Sequence, residues 1–112
     1  MRYNSVLDLH THTVASGHAY CSLREMAKAA SEKGLEVLGI TEHAPSMPGT
    51  CHKFYFNNLK VVPREMYGIQ LLLGSEVNIL DAQGTVDLNE KTLSNMDAVS
   101  YTHLRAHETL MN

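Results

Sequence analysis

Between Tyr3 and Thr41 the chain reads strand, helix, strand within about 40 residues. Tyr3 to Leu9 carries Val6, Leu7 and Leu9 with no breaker, and Leu35 to Thr41 (LEVLGIT) is almost wholly apolar. A strand without polar alternation is covered on both faces, which is the habit of parallel sheets. A helix between two such strands forces them parallel, because a crossover returns the chain to the same end of the sheet. The helix has its own start and stop. Ser22-Leu23-Arg24-Glu25 is a capping box, and Leu23, Met26, Ala27 and Ala30 form one apolar stripe. Lys33 and Gly34 suit its C-terminus.

Further along, Glu42 to Tyr55 is a loop holding Pro45, Pro48 and Gly49. A short helix is expected around Asn57 to Met66, limited by Pro63. Ile69 to Val77 is a third strand, and Asp81-Ala82-Gln83-Gly84 is a turn. Asn89 caps a short helix from Glu90 to Met96, and Asp97-Ala98-Val99 starts another strand. The fold class is therefore α/β with a parallel sheet. A chain of 112 residues supplies only three or four such strands, too few to close a barrel. The expectation is a piece of a larger fold, with an apolar sheet edge that makes it fold poorly alone.

Composition removes several function classes. Lys+Arg 9 against Asp+Glu 12 leaves a net charge of −3, so no basic footprint for nucleic acid is present. No apolar run approaches 18 residues, so no membrane partner is expected. Met1-Arg2-Tyr3-Asn4 does not resemble a signal peptide, and Cys21 and Cys51 make no disulfide framework. A reducing, cytoplasmic location follows as the expectation.

The histidines carry the chemistry. Of seven, four fall in the first 43 residues. His10 and His12 end the first strand, and i, i+2 side chains of a strand share one face. H-x-H alone is equally well explained by two surface histidines. However, His18 follows in the next loop, His43 ends the second strand and Glu76 ends the third. Three neighbouring parallel strands thus end in metal-ligand residue types, at the sheet edge where ligand sites collect. Imidazoles with one carboxylate suit zinc, manganese or iron. A glutamate between histidines can bridge two ions, and a metal-bound hydroxide is a nucleophile near neutral pH. Hydrolysis of a phosphate ester is the favoured chemistry.

Asp8-Leu9-His10-Thr11-His12, Ala15-Ser16-Gly17-His18-Ala19-Tyr20, Ile40-Thr41-Glu42-His43 and Gly74-Ser75-Glu76-Val77-Asn78 resemble successive motifs of the PHP (polymerase and histidinol phosphatase) superfamily. The resemblance runs from about Tyr3 to Asp97 and is nearest to the small trinuclear-zinc phosphatases. It implies the N-terminal portion of a distorted (β/α)7 TIM-like barrel, incomplete here. It implies metal ligands His10, His12, His18, His43 and Glu76, with Glu76 bridging, and Zn2+ (or Mn2+ or Fe2+) as cofactor, up to three ions in the complete parent. The implied partner is a small phosphorylated substrate. A non-catalytic metal-binding PHP module, or a PHP-type nuclease, is the alternative. His52 falls where relatives carry a loop histidine, and a solvated role is expected for it. Asp8 is expected to support His10 as an acceptor. Glu42 stands where many members have Asp and is not expected to be a ligand; Cys21 replaces a usual Ser.

The C-terminal stretch is different in kind. Val99 to Thr109 (VSYTHLRAHET) can be encoded by a transposase-based sequencing-library adapter. Residues 1–98 are accordingly read as the N-terminal part of a PHP domain, and 99–112 as a non-native tail. Family spacing from Glu76 puts the next strand's histidine near position 104, which is Leu104. His103 is one residue off, and a one-residue slip reverses the face. Neither His103 nor His107 is taken as a ligand. The later ligands of relatives are absent from the chain, so weak or no activity is expected of it.

Overall fold

The computed structural model describes residues 6–103. Strand β1 (Leu7–Thr11) leads through a short 3-10 turn (Val14–Ser16) to helix α1 (Leu23–Glu32) and strand β2 (Val37–His43). Helix α2 (Lys53–Asn57) continues as a 3-10 turn (Asn58–Val61). A hairpin of β3 (Glu65–Met66) and β4 (Ile69–Ile79) follows, then α3 (Glu90–Ser94) and β5 (Ala98–His103).

β1, β2, β4 and β5 lie side by side in chain order and all parallel, while β3 pairs antiparallel with the start of β4. A parallel sheet whose strands follow one another in sequence curls as part of a barrel, here about half of one. The capping box forms as expected: Ser22 Oγ accepts from Glu25 N at 3.2 Å, and Ser22 N donates to Glu25 Oε1 at 2.9 Å. Alternation in β4 separates two layers. Ile69, Leu71, Leu73 and Val77 join Leu38 and Ile40 of β2 in one core with Ala27 and Ala30 of α1, Phe56, Leu59 and Leu88. Gly74, Glu76 and Asn78 take the other, concave face, beside Thr41 and His43 of β2.

Several boundaries differ from expectation. The first two strands sit about two to four residues later than their apolar runs, because the polar ends HT and EH continue the pairing. No single helix spans 57–66. The helical turn starts earlier, at Lys53, where His52 caps it, and Pro63 leads into the β3 strand and a Tyr67-Gly68 turn. Tyr67 has φ 54°, a left-handed conformation beside Gly68 at 78°. Helix α3 is two residues shorter than expected.

β5 crosses the 98/99 boundary. Its pairing runs from Gly74↔Ala98 to Ile79↔His103 and is made by main-chain groups, which any extended sequence supplies. At Gly74 a side chain would collide with the Ala98 carbonyl, so the close approach of β5 needs glycine there. At the other side of the sheet, β1 pairs with β2 alone among the described residues, and its Leu7 and Leu9 are about half exposed.

Candidate metal centre

A bulge in β1 aims the first histidine pair. Leu7 pairs with Val37 and Asp8 with Leu38, but Thr11 pairs with Ile40, so Leu9 and His10 together oppose Gly39. Without the extra residue His10 and His12 would take the phase of Ile40 and Glu42, on the helix-covered face. The shift puts them in phase with Gly39, Thr41 and His43 on the concave face, a re-aiming that bulges commonly perform beside active sites. Gly39 is required opposite the bulge: a Cβ there would stand 2.7 Å from the Leu9 Cα. The parallel register of β2 and β4 then sets His43 directly beside Glu76.

The polar tips meet at one atom. Glu76 Oε1 lies 2.9 Å from His10 Nε2, 3.2 Å from His12 Nε2 and 3.6 Å from His43 Nδ1. The His12 and His43 rings stack with centroids 4.2 Å apart, and the His10 ring meets the His12 ring edge-on at 5.0 Å. Glu76 Oε2 accepts from the Thr102 hydroxyl. Burial pushes the Glu76 carboxyl up, but the Thr102 hydroxyl and the three imidazoles outweigh it and hold the group below its ordinary value. Burial pushes the His43 imidazole down; the pull of Glu76 in the opposite direction does not compensate. A neutral His43 keeps a lone pair for a cation.

These residues fit a divalent metal. Ligand atoms of His10, His12 and Glu76 all lie within 4.8 Å of one another. Two ligands bonded at about 2.0–2.1 Å in tetrahedral geometry stand about 3.3 Å apart, close to the spacing of these tips. His43 Nδ1 is buried and has no hydrogen-bond partner, an orphan that a cation would satisfy.

Not every expected residue joins the cluster. The His18 ring stands edge-on to His43 at 5.5 Å, yet its Nε2 is 3.1 Å from the Pro48 carbonyl and it is exposed. Asp8 does not support the His10 ring: it is exposed and accepts from the His10 main-chain N–H at 3.2 Å. The bulge explains the correction, since Asp8 precedes it and keeps the phase of Leu38. His10 Nδ1 instead lies 3.2 Å from Ser100 Oγ. His52 is exposed and caps α2, its Nδ1 accepting from Phe54 N at 3.1 Å. His103 is at the register of Ile79, out of phase with Glu76, and His107 lies outside the described residues.

Sequence reasoning missed what stands behind the ligands. Glu42 is fully buried and accepts from Thr13 N at 2.8 Å, the Thr13 hydroxyl, Ser16 Oγ at 2.8 Å and Tyr55 Oη at 3.1 Å. The signal was available. Leu38, Ile40 and Glu42 share one phase of a buried strand, so a charge in that phase is a carboxylate that must find donors inside.

A profile of the PHP domain matches residues 8–109. The chain belongs to the PHP domain family. Its relatives include a probable phosphatase of Clostridium novyi, 57% identical over 99 residues that make up 88% of this chain and 40% of the relative. Another is a probable phosphatase of Caldanaerobacter subterraneus subsp. tengcongensis, 48% identical over 88% of this chain and 39% of the relative. A probable phosphatase of Acetivibrio thermocellus is 48% identical over 84% and 39% respectively. The chain thus spans about 40% of the length of the curated relatives it matches. The relatives are named as probable phosphatases, and the His10, His12 and Glu76 cluster of this chain could hold a metal ion.

Proposed function

We propose that this chain is the N-terminal metal-holding part of a metal-dependent phosphoesterase that hydrolyses small phosphomonoesters. The observation that carries the reading is the convergence of three imidazole nitrogens on Glu76 Oε1 at the C-terminal edge of a parallel sheet. His10, His12, His43 and Glu76 would hold the cations, with His18 recruited from its loop and up to three ions, zinc, manganese or iron, in the complete protein. Divalent ions in such a site neutralise charge on the phosphoryl oxygens and lower the pKa of water to about 7. The chain's own contribution is placement: the β1 bulge and the β2–β4 register fix the donors before any ion arrives. The net charge of −3 favours a small substrate over nucleic acid. No helix among the described residues is long and apolar enough to cross a membrane. The cytoplasmic assignment rests on the two free cysteines, Cys21 and Cys51.

Residues 99–112 are proposed to be non-native, so this chain is expected to bind metal better than it turns over substrate. Metal content after Zn2+ or Mn2+ loading, measured by mass spectrometry, tests the reading together with hydrolysis of an aryl phosphate. Folded wild-type protein should retain metal, and His10→Ala and Glu76→Ala should lose most of it. A folded wild type that takes up no ion, or a Glu76→Ala variant that binds as well, overturns the proposal. The nucleotide sequence across codons 98 to 112 decides the origin of the tail.

A further inference from the structure

Ser16 is fully buried at the end of the turn after β1, and its hydroxyl has three neighbours. Glu42 Oε1 lies at 2.8 Å, the His43 main-chain N–H at 2.9 Å and His12 Nδ1 at 3.4 Å. A hydroxyl owns one proton and can accept two. The carboxylate has no proton to give, so the Ser16 proton goes to Glu42, and hydrogen bonds to an ionised acceptor are about twice as strong as neutral ones. The His43 N–H can only donate. What remains for His12 is the second lone pair of Ser16, and only a protonated Nδ1 can use it.

We propose that Glu42, acting through the Ser16 hydroxyl, fixes His12 as its Nδ1–H tautomer and so turns the Nε2 lone pair onto the cluster. The tautomer of a ligand histidine is set by the partner of its other nitrogen. Here that partner is a serine whose direction is dictated by a buried acid on the far face of β2. The same hydroxyl ties down the main chain at His43, so one carboxylate orients two of the cluster's histidines. Glu42 and Ser16 touch no substrate and are positioning residues. This inference rests on the metal reading above: without a cation the Glu76 carboxylate, 3.2 Å from His12 Nε2, competes for a proton on that nitrogen, so the tautomer is fixed once a cation stands between them.

The decisive measurement is a long-range 1H–15N spectrum of the Zn2+-loaded chain labelled in histidine. His12 should carry its proton on Nδ1; an Nε2–H tautomer overturns the proposal, whatever any variant does. Glu42→Gln removes the charge that commits the Ser16 proton. It should shift the His12 Nδ1–H resonance and weaken Co2+ binding, followed by its visible absorption, roughly 10–100-fold. Tyr55→Phe removes a different donor from the same carboxylate, and it should leave the tautomer unchanged and Co2+ affinity within about twofold. Equal Co2+ affinity and an unmoved His12 Nδ1–H resonance in folded Glu42→Gln sink the positioning role alone. A folded wild type that takes up neither Zn2+ nor Co2+ sinks the metal reading, and the inference with it. If Glu42→Gln does not fold, as judged by circular dichroism, the wild-type tautomer decides.

Discussion

The two flanks of the histidine cluster are built differently. On the β1–β2 flank His12 and His43 are mostly covered, with side chains 21% and 16% exposed, and stand on Ser16, Thr13 and Glu42, all buried. On the β5 flank His10 is 50% exposed, and Ser100 beside it and Thr102 beside Glu76 project from a strand paired by its main chain. The difference teaches where pre-organisation resides. A buried acid with four donors tolerates no vacancy, so it holds its surroundings to one arrangement. Half-buried hydroxyls at an open edge exchange with water more easily, so they hold their surroundings less firmly.

Removing the acid should break the comparison most severely. Glu42→Ala leaves Thr13 N, the Thr13 and Ser16 hydroxyls and Tyr55 Oη without their acceptor inside the fold. Each hydrogen bond to a charged group is worth about 1.5–3 kcal/mol, so the expected loss is at least about 3 kcal/mol. That is a large share of the roughly 5–15 kcal/mol of a typical domain. Urea unfolding reads it as a lowered midpoint. A midpoint unchanged from wild type would show that the β1–β2 flank is no more organised than the β5 flank.

This asymmetry also explains what could be read from sequence. The convergence of His10, His12, His43 and Glu76 was legible because strand ends of a parallel sheet meet at one edge, and strands declare themselves by apolar runs. The β1 bulge was not legible: no local residue pattern in LDLHT marks an extra residue, and only the pairing with β2 reveals it. For that reason Asp8 was assigned to His10 and lies elsewhere. The helix expected over 57–66 failed through competition. His52 offers a cap upstream, so the helical turn forms early, and the chain from Pro63 to Gly68 is taken by a hairpin. Contacts of Glu42 span 13 to 29 residues in sequence, beyond the reach of any local motif.

A milder cut sharpens the comparison. Tyr55→Phe takes one donor from Glu42 and leaves three, so it should cost about 1.5 kcal/mol near neutral pH. Its pH dependence has a definite sign. Burial and the neighbouring Glu42 carboxylate push the Tyr55 phenol above its ordinary value. The unfolded chain therefore gives up this proton first, at about pH 10, and the stabilisation present below that value is lost as pH rises past it. Urea midpoints of wild type and Tyr55→Phe should stay apart up to about pH 9 and converge above about pH 10. Parallel curves throughout would mean that the phenol is not held by the acid.

The smallest effect is expected on the β5 flank, and it is the sharpest test of the contrast. Ser100 and Thr102 reach His10 and Glu76 because alternate residues of a strand share a face, and Ser100 pairs with Glu76 while Thr102 pairs with Asn78. Parity places them: Ser100 faces the half-exposed His10, and Thr102 donates to the buried Glu76. Water can replace the Ser100 contact at the half-exposed His10, and a cation at Glu76 competes for the oxygen that Thr102 occupies. Ser100→Ala combined with Thr102→Ala should therefore change Co2+ affinity by about twofold, the scale of substitutions that disturb no buried network. The corresponding loss for Glu42→Gln is roughly 10–100-fold, although Glu42 touches neither His10 nor Glu76. A double variant that loses as much as Glu42→Gln would make β5 an organised wall of the site. It would also argue against a foreign origin for residues 99–112, since a strand continued by chance has no reason to present the hydroxyls on which a metal centre depends.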